Sequence, residues 1–221
     1  MIVEDHVLFR EMMRTVCQRD FGYDVIAETG EGAEAVRLAA NATEPPDVVI
    51  LDLQLPDADG LDVAEQVMKV QPQTRILIVS SRCDDYTFHR VERLGVHGFV
   101  DKNSNTPETL GAALKLVAEG KCFYSRLFQE AKLARRRDPE NFEAKLTEWE
   151  RHILSHIGYA LSDDEIGARL GISPKTVMTH RSRIMRKLGV AGTPKLIRYA
   201  IEHGFTQISP PRVTPGVGGA T

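Results

Sequence analysis

The chain has 221 residues, of which 42% are hydrophobic and 27% charged, a composition typical of a soluble globular protein and long enough for two domains. No apolar run reaches the length of a membrane span, and acidic residues follow Met1-Ile2-Val3 at once, so we expect neither a membrane anchor nor a secretory signal. The net charge of −3 conceals an acidic segment 1–118 (11 Lys and Arg, 20 Asp and Glu, net −9) and a basic segment 146–207 (9 and 6, net +3), which suggests that one part senses and the other contacts a polyanion.

Strand and helix signals alternate through residues 1–118. The predicted order is strand 2–3, helix 6–20, strand 24–28, helix 31–40, strand 47–52, helix 59–70, strand 75–80, helix 84–94, strand 97–101 and helix 106–118. In the first helix, we take Val7, Leu8, Met12 and Val16 as the apolar stripe. The alternation indicates an α/β fold of the flavodoxin-like type, with a five-stranded parallel sheet of order 2-1-3-4-5 covered by helices on both faces.

Charged and polar side chains follow several of the predicted strands. Glu4-Asp5, Asp52 and Lys102 come after strands one, three and five, and Ser80 ends strand four. Ligand sites of such sheets lie beyond the carboxyl ends of the strands, so these side chains should meet. Carboxylates placed together repel unless a cation neutralises them, and oxygen ligands of this kind suit Mg²⁺. Lys102 adds a point charge for an anion at the same place.

The set Glu4-Asp5, Asp52 with Pro56 and Gly60, Ser80, and Phe99 with Lys102 resembles the receiver domain of bacterial two-component response regulators, over roughly 1–118. The resemblance implies that Asp52 accepts a phosphoryl group from a sensor histidine kinase. It also implies a set of Mg²⁺ ligands: Asp5, the Asp52 carboxylate, the backbone carbonyl of Gln54 and, through water, Glu4.

Three further roles are implied by the same resemblance. Ser80 and Lys102 would contact phosphoryl oxygens, and Phe99 would be the aromatic switch residue. Phosphorylation would draw Ser80 toward the phosphoryl group, let Phe99 turn inward and remodel the face made by helices 84–94 and 106–118 with the strand between them. Two residues depart from the family pattern: Leu55 replaces a Met before Pro56, and Ser81 is larger than the usual Ala and should slow access to the phosphoryl group. The first strand is also very short before Glu4, which leaves open whether the native start lies upstream of Met1.

The next segment, 119–145, is predicted to be a linker that contains a helix. Residues 146–207 are dense in helix signals. Thr147 with Glu150 and Ser162 with Glu165 have the spacing of capping boxes. Ser173 and Pro174 open a helix that runs to about 188.

The helix over about 174–188 is basic, with five Lys and Arg and no acid within 174–187. Val177, Ile184 and Leu188 form its apolar stripe, and the other face is polar. That face carries Lys175, Met178, Thr179 and Ser182, flanked by Arg181, Arg183 and Arg186. A helix, a turn with Gly and a basic helix are the arrangement of a helix-turn-helix domain.

Residues 146–207 resemble the LuxR-type helix-turn-helix of the NarL/FixJ class of response regulators. The resemblance rests on these residues: Leu146-Thr147, Glu150, Glu165-Ile166, Leu170, Ser173, Lys175-Thr176-Val177, His180 and Lys187-Leu188-Gly189-Val190. It implies a recognition helix in the major groove of double-stranded DNA and a homodimer, formed on DNA or after phosphorylation, with helix 193–203 in the pairing. The expected DNA contacts are Lys175, Thr176, Met178, Thr179, Ser182, Arg183 and Lys187. The tail, 208–221, is predicted to be disordered.

Three functions remain open on this basis. The first is a phosphorylation-controlled transcription factor, in a reducing cytosol given the scattered cysteines Cys17, Cys83 and Cys122. The second is a DNA-binding regulator whose receiver-like part acts through protein contacts without phosphorylation. The third is an enzyme of the phosphatase or phosphotransferase type, which would leave the basic helix unexplained. Incubation with a phosphodonor and Mg²⁺, followed by intact mass and DNA affinity, separates the three.

Overall fold

The computed structural model describes residues 1–103, 106–137 and 145–206. The chain forms two compact units, Met1–Arg137 and Asp138–Thr221. Residues 119–137 of the predicted linker therefore belong to the first unit, and the predicted disordered tail lies outside the described residues. No helix within the described residues has both the length and the apolar character needed to cross a membrane.

The first unit alternates strands and helices along the chain. Its elements are β1 (Ile2–Val3), α1 (Val7–Thr15, continued by a π-helical turn Val16–Asp20), β2 (Glu28–Thr29), α2 (Gly32–Asn41), β3 (Val48–Leu51), α3 (Gly60–Val70), β4 (Arg75–Ser80), α4 (Asp85–Leu94), β5 (Gly98–Asp101), α5 (Pro107–Ala118), β6 (Phe123–Tyr124) and α6 (Arg126–Arg137).

The strands form one parallel sheet of order β2-β1-β3-β4-β5-β6. The order predicted for the first five strands is confirmed, and a sixth strand extends the sheet beyond β5. The second strand lies later than predicted: its pairs with β1 are formed by Glu28 and Thr29, whereas Ile26 is exposed. Burial on both faces makes β3, β4 and β5 continuous apolar runs, which is why their positions were predictable.

Helices cover both faces of the sheet and enclose two apolar cores. One core lies between the sheet and α1 with α5, and the other lies under α2, α3, α4 and α6. The predicted apolar stripe of α1 was wrong: Val7 and Leu8 are 57% and 81% exposed, whereas Met13 and Cys17 are buried. Both faces of this helix carry apolar residues, so their spacing alone could not select the face that packs.

The second unit is helical. Its described helices are α7 (Glu148–Gly158), α8 (Asp163–Leu170), α9 (Pro174–Leu188) and α10 (Thr193–Glu202). The capping boxes at Thr147 and Ser162 are confirmed, as are the N-cap at Ser173 and the limits of α9. Helices α8 and α9 end at left-handed glycines, Gly171 and Gly189, which adopt a φ of 67° that a side chain disfavours.

Candidate functional site

The parallel register of the sheet brings the predicted site residues to one edge. Val3 pairs with Leu51, so Glu4 and Asp52 leave neighbouring strands side by side. Ser80 pairs with Asp101, and the Lys102 backbone N–H donates to the Ser80 carbonyl. Four polar side chains predicted from separate parts of the sequence therefore converge, as expected for the carboxyl ends of a doubly wound sheet.

Asp52 lies at the centre of this edge and is buried. The Ser80 hydroxyl donates to its Oδ1 over 2.6 Å, and the Lys102 ammonium donates to its Oδ2 over 2.7 Å. The same ammonium donates to Glu4 Oε2 over 2.6 Å and lies 4.6 Å from the centre of the Phe9 ring. Each carboxylate oxygen of Asp52 thus has a donor, and Lys102 neutralises two buried acids at once.

Glu4 is fully buried, and the pKa of its carboxyl is raised. Burial raises the pKa of its carboxyl, the hydrogen bond from Lys102 opposes that rise, and the charge of Asp52 adds to it. Its Oε1 accepts the backbone N–H of His6, so both carboxylate oxygens are engaged. The predicted role of Glu4 as a ligand through water stays a prediction.

Asp5 completes the acidic cluster and is the least buried of its carboxylates, with 13% of its side chain exposed. His6 Nδ1 lies 2.9 Å from Asp5 Oδ1, and His6 itself is 74% exposed. Possible ligand atoms of Glu4, Asp5, His6 and Asp52 all lie within 4.8 Å of one another. A mostly carboxylate donor set of this size fits a hard divalent cation such as Mg²⁺.

The loops beside Asp52 are tied together by side-chain hydrogen bonds. The Ser81 hydroxyl donates to Gln54 Oε1 over 2.6 Å and joins the loop after β3 to the loop after β4. Arg82, which is buried, donates to Asp59 Oδ2 and Asp84 Oδ2 over 2.9 and 3.3 Å. Although burial acts in the opposite direction, Arg82 and Arg90 hold the pKa of Asp59 below its usual value. The loop that follows Ser80 is therefore held by the ion pairs of Arg82 with Asp59 and Asp84.

The predicted switch residue, Phe99, is fully buried. Its ring lies 5.2 Å from that of Phe88 and 5.6 Å from that of Phe128. The ring therefore already lies inward in this structure, and its movement on phosphorylation stays a prediction. Part of the face that was expected to be remodelled, formed by α4 and β5, is covered by β6 and α6 of the same chain.

Three contributors to the site were missed from the sequence. His6 was signalled only by its position directly after Glu4-Asp5, and Phe9 by its place on the first turns of α1. Arg82 follows Ser80 by two residues and reads as an ordinary loop charge. Only the fold shows that these side chains lie against the acids and the loop around Asp52.

The second unit presents the polar face predicted for α9. All seven predicted contact residues are exposed, namely Lys175, Thr176, Met178, Thr179, Ser182, Arg183 and Lys187. Thr179 and Ser182 hydroxyls donate to backbone carbonyls four residues earlier, over 2.9 and 3.0 Å. Thr176 lies beside the Ser173 cap, with its hydroxyl oxygen 2.8 Å away.

Two basic residues of α9 have internal partners. Lys187, predicted as a DNA contact, donates to Glu150 Oε2 over 2.6 Å. Arg181 is buried and donates twice to Asp163 Oδ1, over 2.9 and 2.6 Å, so it joins α8 to α9 and is not part of the polar face. Arg181 lies four residues after Val177 and three before Ile184, and that helical spacing is the signal that could have identified it as buried.

Comparison with known families covers both units. The family model described as the response regulator receiver domain matches residues 1–115. The model described as bacterial regulatory proteins of the luxR family matches residues 144–200.

Individual relatives align with this chain over almost the whole length of both proteins. A putative transcriptional regulator of Pseudomonas aeruginosa is 30% identical over 203 residues, which cover 92% of this chain and 97% of that protein. Response regulator protein VraR of Staphylococcus aureus is 28% identical over 207 residues, 94% of this chain and 98% of that protein. Among solved structures, RcsB from Salmonella enterica serovar Typhimurium, bound to promoter rprA with the phosphomimetic BeF3⁻, matches with a TM-score of 0.67 at 20% identity over 90% of this chain and 95% of that one. At that identity, the likeness to RcsB concerns the fold.

Proposed function

Since this chain belongs to the family of bacterial response regulators that join a receiver domain to a LuxR-type DNA-binding domain, we propose that phosphorylation of Asp52 controls its binding to promoter DNA. A sensor histidine kinase supplies the phosphoryl group. The observation that carries this proposal is the surrounding of Asp52, a buried carboxylate between the Ser80 hydroxyl and the Lys102 ammonium. Few structural roles need a buried acid with a hydroxyl, a cation and further acids beside it.

Each residue has a distinct part in the proposed transfer. An oxygen of the Asp52 carboxylate attacks phosphorus in line with the departing imidazole nitrogen of the kinase, and the new bond makes an acyl phosphate. Lys102 and Ser80 already donate to Asp52, and they would pass to the phosphoryl oxygens as those oxygens arrive. Because both groups are positioned before the reaction, little reorganisation is needed.

The acidic cluster would hold Mg²⁺ in this scheme. Asp5 and Asp52 would bind it through carboxylate oxygens, Gln54 through its backbone carbonyl, and Glu4 through water. When bound, the cation supplies positive charge to the phosphoryl oxygens, while the residues of the chain orient them.

Substitution of Asp5 tests the metal site. Asp5→Ala should remove most of the Mg²⁺ affinity, because it deletes the most accessible carboxylate of the cluster, and should slow labelling by a phosphodonor. Isothermal titration with MgCl₂ measures the first effect and intact-mass kinetics the second. Asp20→Ala, on the exposed end of the π-helical turn, is the control that should leave both unchanged. An Asp5→Ala protein with the Mg²⁺ affinity of the wild type would rule out this cluster.

The exposed polar face of α9 is proposed to enter the major groove of DNA. Thr179 and Ser182 would reach base edges, Met178 would contact a thymine methyl, and Lys175 with Arg183 would bind phosphates. The solved structure of RcsB on promoter rprA provides the precedent for DNA binding by this fold. We also propose that two copies bind neighbouring half-sites about one helical turn apart.

Substitutions on α9 distinguish base contacts from phosphate contacts. Thr179→Ala should change the sequences selected from a random duplex pool, whereas Arg183→Gln should weaken all duplexes alike and lower the salt dependence by roughly one phosphate contact. Lys187→Gln should change that salt dependence less, because its ammonium is already paired with Glu150. Selection by sequencing and affinity titrations over a series of salt concentrations measure these effects. The reverse pattern would mean that α9 docks differently.

The receiver and DNA-binding assignments are tested together on the full-length protein. It should gain the mass of one phosphoryl group from acetyl phosphate with Mg²⁺ and, once labelled, bind selected duplex DNA more tightly. A DNA affinity that is the same before and after labelling would favour the alternative of a phosphorylation-independent regulator.

A further inference from the structure

Two histidines of α7 lie one helical turn apart on the surface of the second unit. Of the seven histidines in the chain, only His152 and His156 are four residues apart. Side chains at this spacing lie on the same face of a helix, one above the other. The two imidazole rings are neighbours in the structure, with centroids 5.0 Å apart and planes tilted by 57°. His152 is exposed and His156 is half-buried, so the pair is accessible to a small ligand.

The backbone of α7 fixes the orientation of the His156 ring. Its Nδ1 lies 2.9 Å from the His152 carbonyl oxygen, which can only accept a hydrogen bond. Nδ1 must therefore carry the proton of the neutral ring, which leaves the lone pair on Nε2. The Ser155 hydroxyl donates to the same carbonyl over 2.7 Å and lies 3.4 Å from Nδ1. Metal-binding histidines typically donate one ring nitrogen to a carbonyl in this way, because the bond selects the nitrogen that binds the cation.

Trp149, the single tryptophan of the chain, borders the histidine pair. Its ring lies 5.9 Å from that of His152, edge to face at 90°. Trp149 comes three residues before His152, and His156 comes four residues after it, so the indole and the second imidazole lie on opposite sides of the His152 ring along the helix. A ligand held by both histidines would therefore be close to the indole.

We propose that His152 and His156 together bind one divalent transition-metal cation, such as Ni²⁺, Cu²⁺ or Zn²⁺, with water completing the coordination. Imidazole nitrogen is a preferred ligand of these cations, whereas Mg²⁺ prefers oxygen, so this site selects different cations from the acidic cluster of the receiver. Once one imidazole has bound the cation, the second binds intramolecularly at a spacing that the helix already sets. The inference goes beyond the proposed function and does not depend on it.

The bound cation would stabilise the second unit. It bridges one turn of α7 and binds the folded turn in preference to the unfolded chain. Helix α7 supplies several buried apolar side chains to its unit, namely Ile153, Leu154 and Ile157. Its Glu150 also accepts a hydrogen bond from Lys187 of α9 over 2.6 Å. Because α7 is packed in this way, the thermal stability of the whole unit should rise with the concentration of the cation.

Trp149 fluorescence of the full-length protein during a titration with NiCl₂ tests the proposal. Bound Ni²⁺ is paramagnetic and should quench the neighbouring indole, with saturation at one cation per chain, and ZnCl₂ should displace it and restore the emission. His152→Gln and His156→Gln should each weaken the Ni²⁺ affinity at least about tenfold, because each leaves a single imidazole. The matched control is His203→Gln, since His203 is an exposed histidine of the same unit with no histidine four residues away. It should titrate as the wild type.

Thermal unfolding followed by Trp149 emission gives a second readout. Saturating NiCl₂ should raise the transition temperature of the wild type and of His203→Gln, and should leave the transitions of the other two variants in place. Absence of quenching in the wild type, or wild-type affinity in both His152→Gln and His156→Gln, overturns the proposal. Quenching that is equally weak in all four proteins would be adventitious coordination only and overturns it as well. If His156→Gln proves unfolded by circular dichroism, His152→Gln at the exposed position decides alone.

Discussion

Asp52→Asn should abolish the phosphodonor-dependent gain in mass. The amide that replaces the carboxylate cannot serve as the nucleophile, and the remaining acids at the site are engaged elsewhere: Glu4 with Lys102 and His6, and Asp5 beside His6. The loss should be complete, because no positioned group takes over the attack. Intact-mass spectrometry after incubation with acetyl phosphate and Mg²⁺ measures it.

Asp57→Asn is the matched control for this substitution. Asp57 lies in the same loop and accepts the backbone N–H groups of Gly32 and Ala33 over 2.8 and 2.9 Å. An Asn carbonyl can accept one of these bonds, so the control should fold and still be labelled. Labelling of the Asp52→Asn protein at another residue, to the level of the wild type, would contradict the assignment of Asp52 as the phosphoryl acceptor.

Gly60→Ala should strongly destabilise the receiver. A Cβ at this position would lie 2.5 Å from both the Asp52 carbonyl oxygen and Leu53 Cα, and backbone atoms cannot give way as a flexible side chain does. We expect a loss of about 3 kcal/mol, the upper range for overpacking, which lowers the melting midpoint of this unit by about 10 °C. The loop after β3 and the position of Asp52 should be disturbed with it.

Calorimetry of the full-length protein measures the Gly60→Ala effect, and two comparisons control it. Gly22→Ala introduces a side chain at a φ of +69° with no atom within 4 Å, so it should cost only the left-handed strain of about 1 kcal/mol. The single tryptophan, Trp149, lies in the second unit, so its fluorescence transition should stay in place. If the Gly60→Ala receiver is as stable as the Gly22→Ala receiver, the close packing of Gly60 against the backbone of Asp52 and Leu53 is contradicted.

The sequence predicted the edge of the sheet better than it predicted the surfaces of the helices. Asp52, Ser80 and Lys102 each end or follow a strand, and the topology of a parallel sheet then requires them to meet. Helix α9 was predictable to the residue because Ser173 and Pro174 mark its start and Gly189 marks its end. These features depend on residues close to them in the sequence, such as strand ends and helix caps, and can therefore be predicted without the fold.

Other features depend on tertiary packing and left no such signal. A strand as short as Phe123–Tyr124 has no period to detect, so β6 was missed and α6 was predicted as part of a linker. Val7 and Met13 are equally apolar, and only the docked position of α1 exposes one and buries the other. Lys187 and Arg183 are both basic residues of α9, and the sequence does not distinguish them. The fold places Lys187 beside the Glu150 carboxylate.

The central claim is that the phosphoryl group on Asp52 controls DNA binding, and one titration tests it directly. Fluorescence anisotropy of a duplex selected from a random pool is measured with full-length protein, with and without acetyl phosphate and Mg²⁺, beside Asp52→Asn. We expect the wild-type affinity to rise at least about fivefold with the phosphodonor, and the variant to keep the unphosphorylated affinity under both conditions. Equal affinities for the labelled and unlabelled wild-type protein would contradict the account.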